Sequence, residues 1–225
     1  MTDDDQVRIA ATTVLLRDAE AGLETLMLRR SAQLSFAAGA WVFPGGAVDP
    51  GDRHPEAPDD EEAAARRAAA REAREEADVA LDPSSLVLLS RWCPPVEAPK
   101  RFNTWFFVGR APEGAITVDG SEIDSHRWMR PAQAIAERDA GRLELIPPTW
   151  ITLHQLRPYA DVAGALAGIS ASEPALWVTR LVVAASGARV TIWDPDAAFE
   201  HGDLDRPGPR NRLYLDEAAW RYETG

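Results

Sequence analysis

Several things are scarce in this chain, and each scarcity removes a class of function. There is one cysteine in 225 residues, Cys93. A single thiol supports neither an internal disulfide framework nor a cysteine-rich zinc site. A reducing, cytoplasmic setting is the simplest expectation, with Cys93 as a buried strand residue. The four histidines, His54, His126, His154 and His201, lack the spacing of zinc ligands. There is no Gly-x-Ser-x-Gly elbow to present a nucleophilic serine. No apolar run approaches the ~18–20 residues of a membrane span, and the opening MTDDDQVR lacks the apolar core of a secretory signal. A membrane partner is therefore not expected. Positive charge is also short, with 24 basic residues against 36 acidic ones and a net charge of −12. Nucleic acids are gripped by basic faces, so a nucleic-acid partner is not expected either. An acidic chain can hold a phosphate-bearing small molecule only where placed arginines or bound cations intervene.

What is present is enough to build a core, since hydrophobic residues make up 45% of the chain. The length fits one domain over 1–225, with a core at about 7–145 and a C-terminal extension at about 146–225. Strands are expected at Val7 to Leu16, Leu23 to Leu28, Trp41 to Phe43, Leu86 to Cys93 and Phe102 to Val108, from their β-branched and aromatic content. One or two more fall within Ile116 to Met129. Helices are expected at Asp59 to Ala77, from Pro131 to a stop at Gly141, from Pro147-Pro148 to Leu156, and over Ala160 to Ile169. Trp177 to Ala185 and Ala188 to Trp193 read as a hairpin about Ser186-Gly187. Strands mixed with helices, without regular alternation, indicate an α+β or mixed-sheet fold.

The chemistry concentrates in Phe43 to Val79. Gly45 and Gly46 follow an apolar run and let the backbone approach a ligand closely. Further on, Glu72, Glu75 and Glu76 stand at i, i+3 and i+4, so they share one helix face. Three neighbouring carboxylates repel one another unless a positive charge answers them. A hard divalent ion does so through carboxylate oxygens. The bland reading is a solvated helix face, because Arg67, Arg71 and Arg74 lie among the glutamates and Arg71 with Glu75 is an ordinary i,i+4 pair. Asp59 with Glu62 has the form of a capping box.

A glycine loop followed by this glutamate-rich helix resembles the Nudix box. Its pattern runs Gly, five residues, Glu, seven residues, Arg-Glu, an aliphatic or small residue, any residue, Glu-Glu, any residue, Gly and an aliphatic residue. Here Gly46 is the first glycine, Arg71 to Ala77 the helix and Val79 the last apolar position. Twenty-five residues lead from Gly46 to Arg71 where the pattern has fourteen, an insertion of eleven. Counted back from Arg71, the first glutamate falls on Ala63, one place from Glu62, and the closing glycine is Asp78.

The likeness extends outward. Arg30-Ser31, Gly39 and Phe43 to Gly46 resemble the motif that precedes the box in coenzyme A diphosphatases, with Ser35 where that motif has arginine. Pro94-Pro95, Lys100 to Phe107 and Leu145 to Trp150 resemble the subgroup with an expanded box loop, which includes coenzyme A diphosphatases of peroxisomes and mitochondria. The resemblance implies an α/β/α sandwich around a mixed sheet, with a C-terminal helical and hairpin extension. It implies hydrolysis of the diphosphate in a nucleoside diphosphate linked to another moiety. The cofactor would be Mg2+ or Mn2+, held by Glu72, Glu75, Glu76 and the Gly46 carbonyl. Arg71 would brace the glutamates, and a nearby carboxylate would take a proton from the attacking water. Glu122 is a candidate for that role. Arg30 and Arg101 are candidate phosphate clamps, with Gly45 at the substrate, and Phe43, Trp105 and Phe107 either stack on a base or belong to the core. The alternatives are ADP-ribose or a dinucleotide as substrate, or a binding module that does not cleave. Apolar residues around Trp150 and Leu156 suggest a homodimer through the segment after Pro147.

Overall fold

The computed structural model describes residues 7–33, 37–98 and 101–225; Ser35 and Lys100 lie outside them. Among these described residues, twelve strands and four α-helices follow one another in the order β1 (Arg8–Ala19), β2 (Gly22–Arg30), β3 (Trp41–Val42), β4 (Gly45–Ala47), α1 (Glu61–Ala77), β5 (Val87–Cys93), β6 (Phe102–Arg110), β7 (Ile123–Met129), α2 (Pro131–Asp139), α3 (Pro147–Leu156), α4 (Val162–Ser170), β8 (Ala175–Val178), β9 (Arg180–Val183), β10 (Arg189–Ile192), β11 (Asn211–Tyr214) and β12 (Arg221–Thr224). The larger sheet runs β3-β2-β1-β6-β5-β8, with β4 against β1 and β7 against β2. It is mixed: β1 with β6 and β5 with β8 are parallel, and the other pairs are antiparallel.

Strand alternation gives this sheet two buried faces. On one, Ala11, Trp105 and Phe107 meet Ala65, Ala68 and Ala69 of α1. On the other, Val14, Leu16, Phe106 and Val108 meet Leu153 and Leu156 of α3 and Val162 and Ala165 of α4. The α/β/α layering implied by the box is what forms. Ile116 to Met129 yields one strand, while Ile116 and Val118 pack as an irregular segment beside Ala77 and Val79.

The hairpin expected from Trp177 onward divides in two. Trp177 belongs to β8, which joins the main sheet beside Trp92, and only β9 pairs with β10. β9 to β12 then form a separate four-stranded antiparallel sheet. Its Leu213 and Tyr222 pack on the same core as the main sheet. Aromatic rings bridge the two: Trp92 stacks on Trp177 at 5.0 Å, and Trp177 meets the edge of Trp193 at 5.1 Å. Trp150 and Leu156 lie inside this core at 3% and 0% exposure. Trp150 and Leu156, around which a dimer contact was expected, are covered by their own chain and offer no surface to a second copy. No helix among the described residues is long and apolar enough to cross a membrane.

Candidate active site

The helix that carries the glutamates begins at Glu61, two residues after the expected Asp59. Asp60 is the N-cap, and its Oδ1 accepts from the Ala63 N–H at 3.0 Å. The third helical residue is then alanine, so the Asp59–Glu62 capping box does not form. Glu61 and Glu62 occupy the first turn and Arg74 the last, each with the sign that the helix dipole favours. Asp78 ends the helix in the left-handed conformation, φ 55° and ψ 35°, doing what a glycine does at that point. The alanine face lets α1 lie close to β1, where Thr13 Oγ1 donates to the Ala69 carbonyl at 2.9 Å.

Gly45 and Gly46 are not in a loop. They form β4, antiparallel to β1, with Gly45 opposite Thr12 and Gly46 opposite Ala11. What demands glycine is space, because neither residue has a positive φ. A Cβ on Gly46 would overlap the Glu72 carboxylate, and one on Gly45 would overlap the Ala11 carbonyl. The Gly45 N–H donates to Glu76 Oε2 at 2.9 Å, which ties the strand to the helix.

Arg71 is the hub beside this junction. Its Nη1 donates to Glu72 Oε1 at 2.9 Å and Glu75 Oε2 at 2.8 Å, and its Nη2 to the Ala47 carbonyl at 2.9 Å. Nε and Nη2 also grip Asp52 through Oδ1 at 3.2 Å and Oδ2 at 3.0 Å. The hydrogen bonds that it donates to Asp52 hold the guanidinium firmly protonated. Glu76 is different. Burial pushes its carboxyl up to about 8, and the charges of Glu72 and Glu122 add to the rise against the Gly45 N–H and Arg30. Glu72 is also raised, first by burial, with Arg71 opposing and Glu75 and Glu122 assisting. The structure thus brings Arg30, Gly45, Gly46, Arg71, Glu72, Glu75, Glu76 and Glu122 into one neighbourhood that holds more negative charge than it answers.

A profile of the NUDIX domain matches residues 7–149, more than half of the chain. The chain belongs to the Nudix family. Among solved structures it is similar to a NUDIX hydrolase from Alicyclobacillus acidocaldarius, with a TM-score of 0.64 and 26% identity over 75% of this chain and 99% of that one. A MutT NUDIX hydrolase from Burkholderia pseudomallei shares the fold, with a TM-score of 0.51 and 22% identity over 67% of this chain and 98% of its own. So does the NUDIX domain of Shewanella oneidensis NrtR, solved with ADP ribose, at 0.51 and 18% over 68% and 88%. Comparison with curated proteins returned no match. The chain is a Nudix pyrophosphohydrolase, of a family that acts on small-molecule nucleotides and generally uses divalent metal ions.

The Nudix pattern also explains Asp52. Counted forward from Gly46, five residues lead to Asp52, the place of the first glutamate. Counting back from Arg71 gave Ala63 and hid it. The structure decides for the forward count, since Asp52 is 5% exposed and bound to Arg71 through both oxygens. The eleven extra residues therefore lie after Asp52, and the acidic stretch leaves the brace intact.

The residues suit a divalent ion in chemistry. Glu72 Oε1, Glu75 Oε2 and Glu76 Oε2 are engaged as described, which leaves the second oxygen of each carboxylate outside those bonds. Carboxylate oxygens are what a hard cation prefers. Among the described residues no three such side chains already converge as a closed cage; Arg71 draws Glu72 and Glu75 toward itself. Two residues of the expected set stand apart. Phe43 is 3% exposed and meets Phe106 edge-on at 6.4 Å, so it belongs to the core, as do Trp105 and Phe107. Arg101 acts on Cys93 with Arg91, whereas the cations acting on Glu72 and Glu76 are Arg71 and Arg30.

The two glycines should fail differently. Gly45→Ala drives a methyl into backbone that cannot swing aside, and is expected to cost about 1–3 kcal/mol of stability. Gly46→Ala meets the Glu72 side chain first, which can shift, so it should keep most stability while lowering activity by about tenfold or more. Urea denaturation and a hydrolysis assay on both variants check this.

Proposed function

We propose that this Nudix enzyme hydrolyses the diphosphate of a nucleoside diphosphate linked to another moiety, with coenzyme A or an acyl derivative as the leading substrate. The observation that carries the diphosphate reading is the buried Glu76 carboxylate, tied to Gly45 and crowded by Glu72 and Glu122. A bound Mg2+ or Mn2+ would neutralise charge on the diphosphate and make a water easier to deprotonate. Glu72, Glu75, Glu76 and the Gly46 carbonyl would hold it. Arg71 keeps Glu72 and Glu75 in place, and Asp52 keeps Arg71 in place. Arg30, which acts on Glu76, would take a phosphate oxygen through its guanidinium. Glu122 would accept the proton of the attacking water on its carboxylate.

The coenzyme A reading rests on the segment before the box. The Ser31 N–H donates to the Glu122 carbonyl at 2.8 Å and the Gly39 N–H to the Arg30 carbonyl at 3.0 Å. The residues that resemble the coenzyme A motif are thus bonded to both candidate substrate-facing residues. The test is incubation with coenzyme A, ADP-ribose and a diadenosine polyphosphate, each with Mg2+, Mn2+ or chelator. Metal-dependent release of phosphopantetheine and adenosine 3′,5′-bisphosphate from coenzyme A is expected. Turnover of ADP-ribose alone would reassign the substrate, and binding without turnover would make the chain a sensor.

A further inference from the structure

A second cluster lies on the α1 side of the sheet, beyond the edge of the helix. Arg91 on β5 is the cross-strand partner of Trp105 on β6, and its guanidinium sits 4.1 Å from the ring centroid. Cys93, two residues on, shares that face. So do Leu176 and Val178 on β8, which are paired with Arg91 and Cys93. Arg101 precedes β6 and acts on the Cys93 thiol together with Arg91.

Three features coincide at this corner. First, neither Arg91 nor Arg101 forms an ion pair or a side-chain hydrogen bond among the described residues, in a chain whose acids outnumber its bases by 36 to 24. Second, Arg101 Nε and Trp105 Nε1 are buried donors without acceptors. Such donors are costly unless a ligand or water answers them. Third, Leu176 and Val178 are 57% and 42% exposed, two of the five large apolar side chains that the described surface exposes most. Guanidinium groups suit phosphate and carboxylate oxygens, and exposed aliphatic pairs suit an alkyl chain. Unanswered positive charge beside apolar surface fixes the chemistry of the occupant.

We propose that the Arg91–Arg101 corner binds a small anionic amphiphile, its phosphate or carboxylate head between the two guanidiniums and its aliphatic tail along Leu176 and Val178. The tail leaves across β8, away from the carboxylates of α1. This site does not depend on the diphosphatase reading.

The test uses the full chain in chelator, so that hydrolysis plays no part. Octyl phosphate below its micelle concentration, inorganic phosphate and octyltrimethylammonium are titrated by calorimetry. Octyl phosphate should bind most tightly and the ammonium probe not at all. Arg91→Gln with Arg101→Gln should weaken octyl phosphate by at least tenfold, and Arg91→Lys with Arg101→Lys by less. Leu176→Ser with Val178→Ser should bring octyl phosphate down to the level of inorganic phosphate. Saturating octyl phosphate should also slow alkylation of Cys93, the only thiol, by iodoacetamide. Circular dichroism shows that each variant is folded. Equal binding of the two octyl probes, no binding to the wild type, unchanged binding in the glutamine variant, or unprotected Cys93 would each overturn the proposal.

Discussion

Glu76→Gln is expected to fold normally and to lose about 10²- to 10³-fold in kcat/KM on the diphosphate substrate. Glutamine keeps an oxygen that can accept from the Gly45 N–H, so the strand–helix tie survives. What disappears is the charge. The same substitution has a second readout. The Glu76 carboxyl sits at about 8 in the fold, against an ordinary value of 4.5. Between those two values the folded chain holds a proton that the unfolded chain has released. Stability of the metal-free protein must therefore fall as pH rises from about 4.5 to about 8, and level off above that. The upper limit of the loss is on the order of 4–5 kcal/mol. A divalent ion should oppose it by answering the charge, and Glu76→Gln should remove the slope. Urea denaturation at pH 5 and pH 8.5, with chelator and then with Mg2+, measures this; an equal slope in both proteins would mean that Glu76 is not the group responsible.

The second large effect lies far from the glutamates. Asp196 and Arg212 form an ion pair in the C-terminal sheet with side chains 0% and 1% exposed. Asp196 accepts twice from Arg212, at 2.6 and 2.8 Å, and also from the Asn211 and Ala198 N–H groups. Arg212 in turn donates to the Leu204 carbonyl at 2.8 Å. Burial opposes ionisation of Asp196, but these bonds outweigh it and hold the carboxyl below its usual range. Removing one partner strands the other charge away from water. Asp196→Ala should cost about 3–5 kcal/mol, a fall in Tm of roughly 6–20 °C for a chain of this size. Asp196→Leu with Arg212→Met should recover much of it, because no charge is then left buried. A double variant as unstable as the single one would mean that packing volume matters more than charge.

The contrast between these two regions shows what a sequence can disclose. The glutamate helix was legible because helix periodicity sets Glu72, Glu75 and Glu76 on one face whatever surrounds them. Asp52 was not, because an insertion moved it away from the arginine it serves; only the interval measured from Gly46 retained its place. The glycines read as a loop open to a ligand, because a glycine pair after an apolar run does not show that it continues as a strand; what presses on Gly46 is a neighbouring carboxylate. Phe43 gave no sign of which way it faced, since an aromatic beside a glycine pair serves a core or a ligand equally well. The Asp196–Arg212 pair left no signal at all. Its members are sixteen residues apart in a polar stretch, and only the sheet brings them together.

The rings that join the two sheets bear on how this protein can be dissected. Likeness to the Nudix profile stops at residue 149, yet Trp92, well inside that span, rests against Trp177 and Trp193, well outside it. A shortened chain ending where the family likeness ends would uncover the Trp92 indole and leave β5 an open edge. Family membership and mechanical independence therefore have different limits here, and whoever trims the gene must follow the tryptophans.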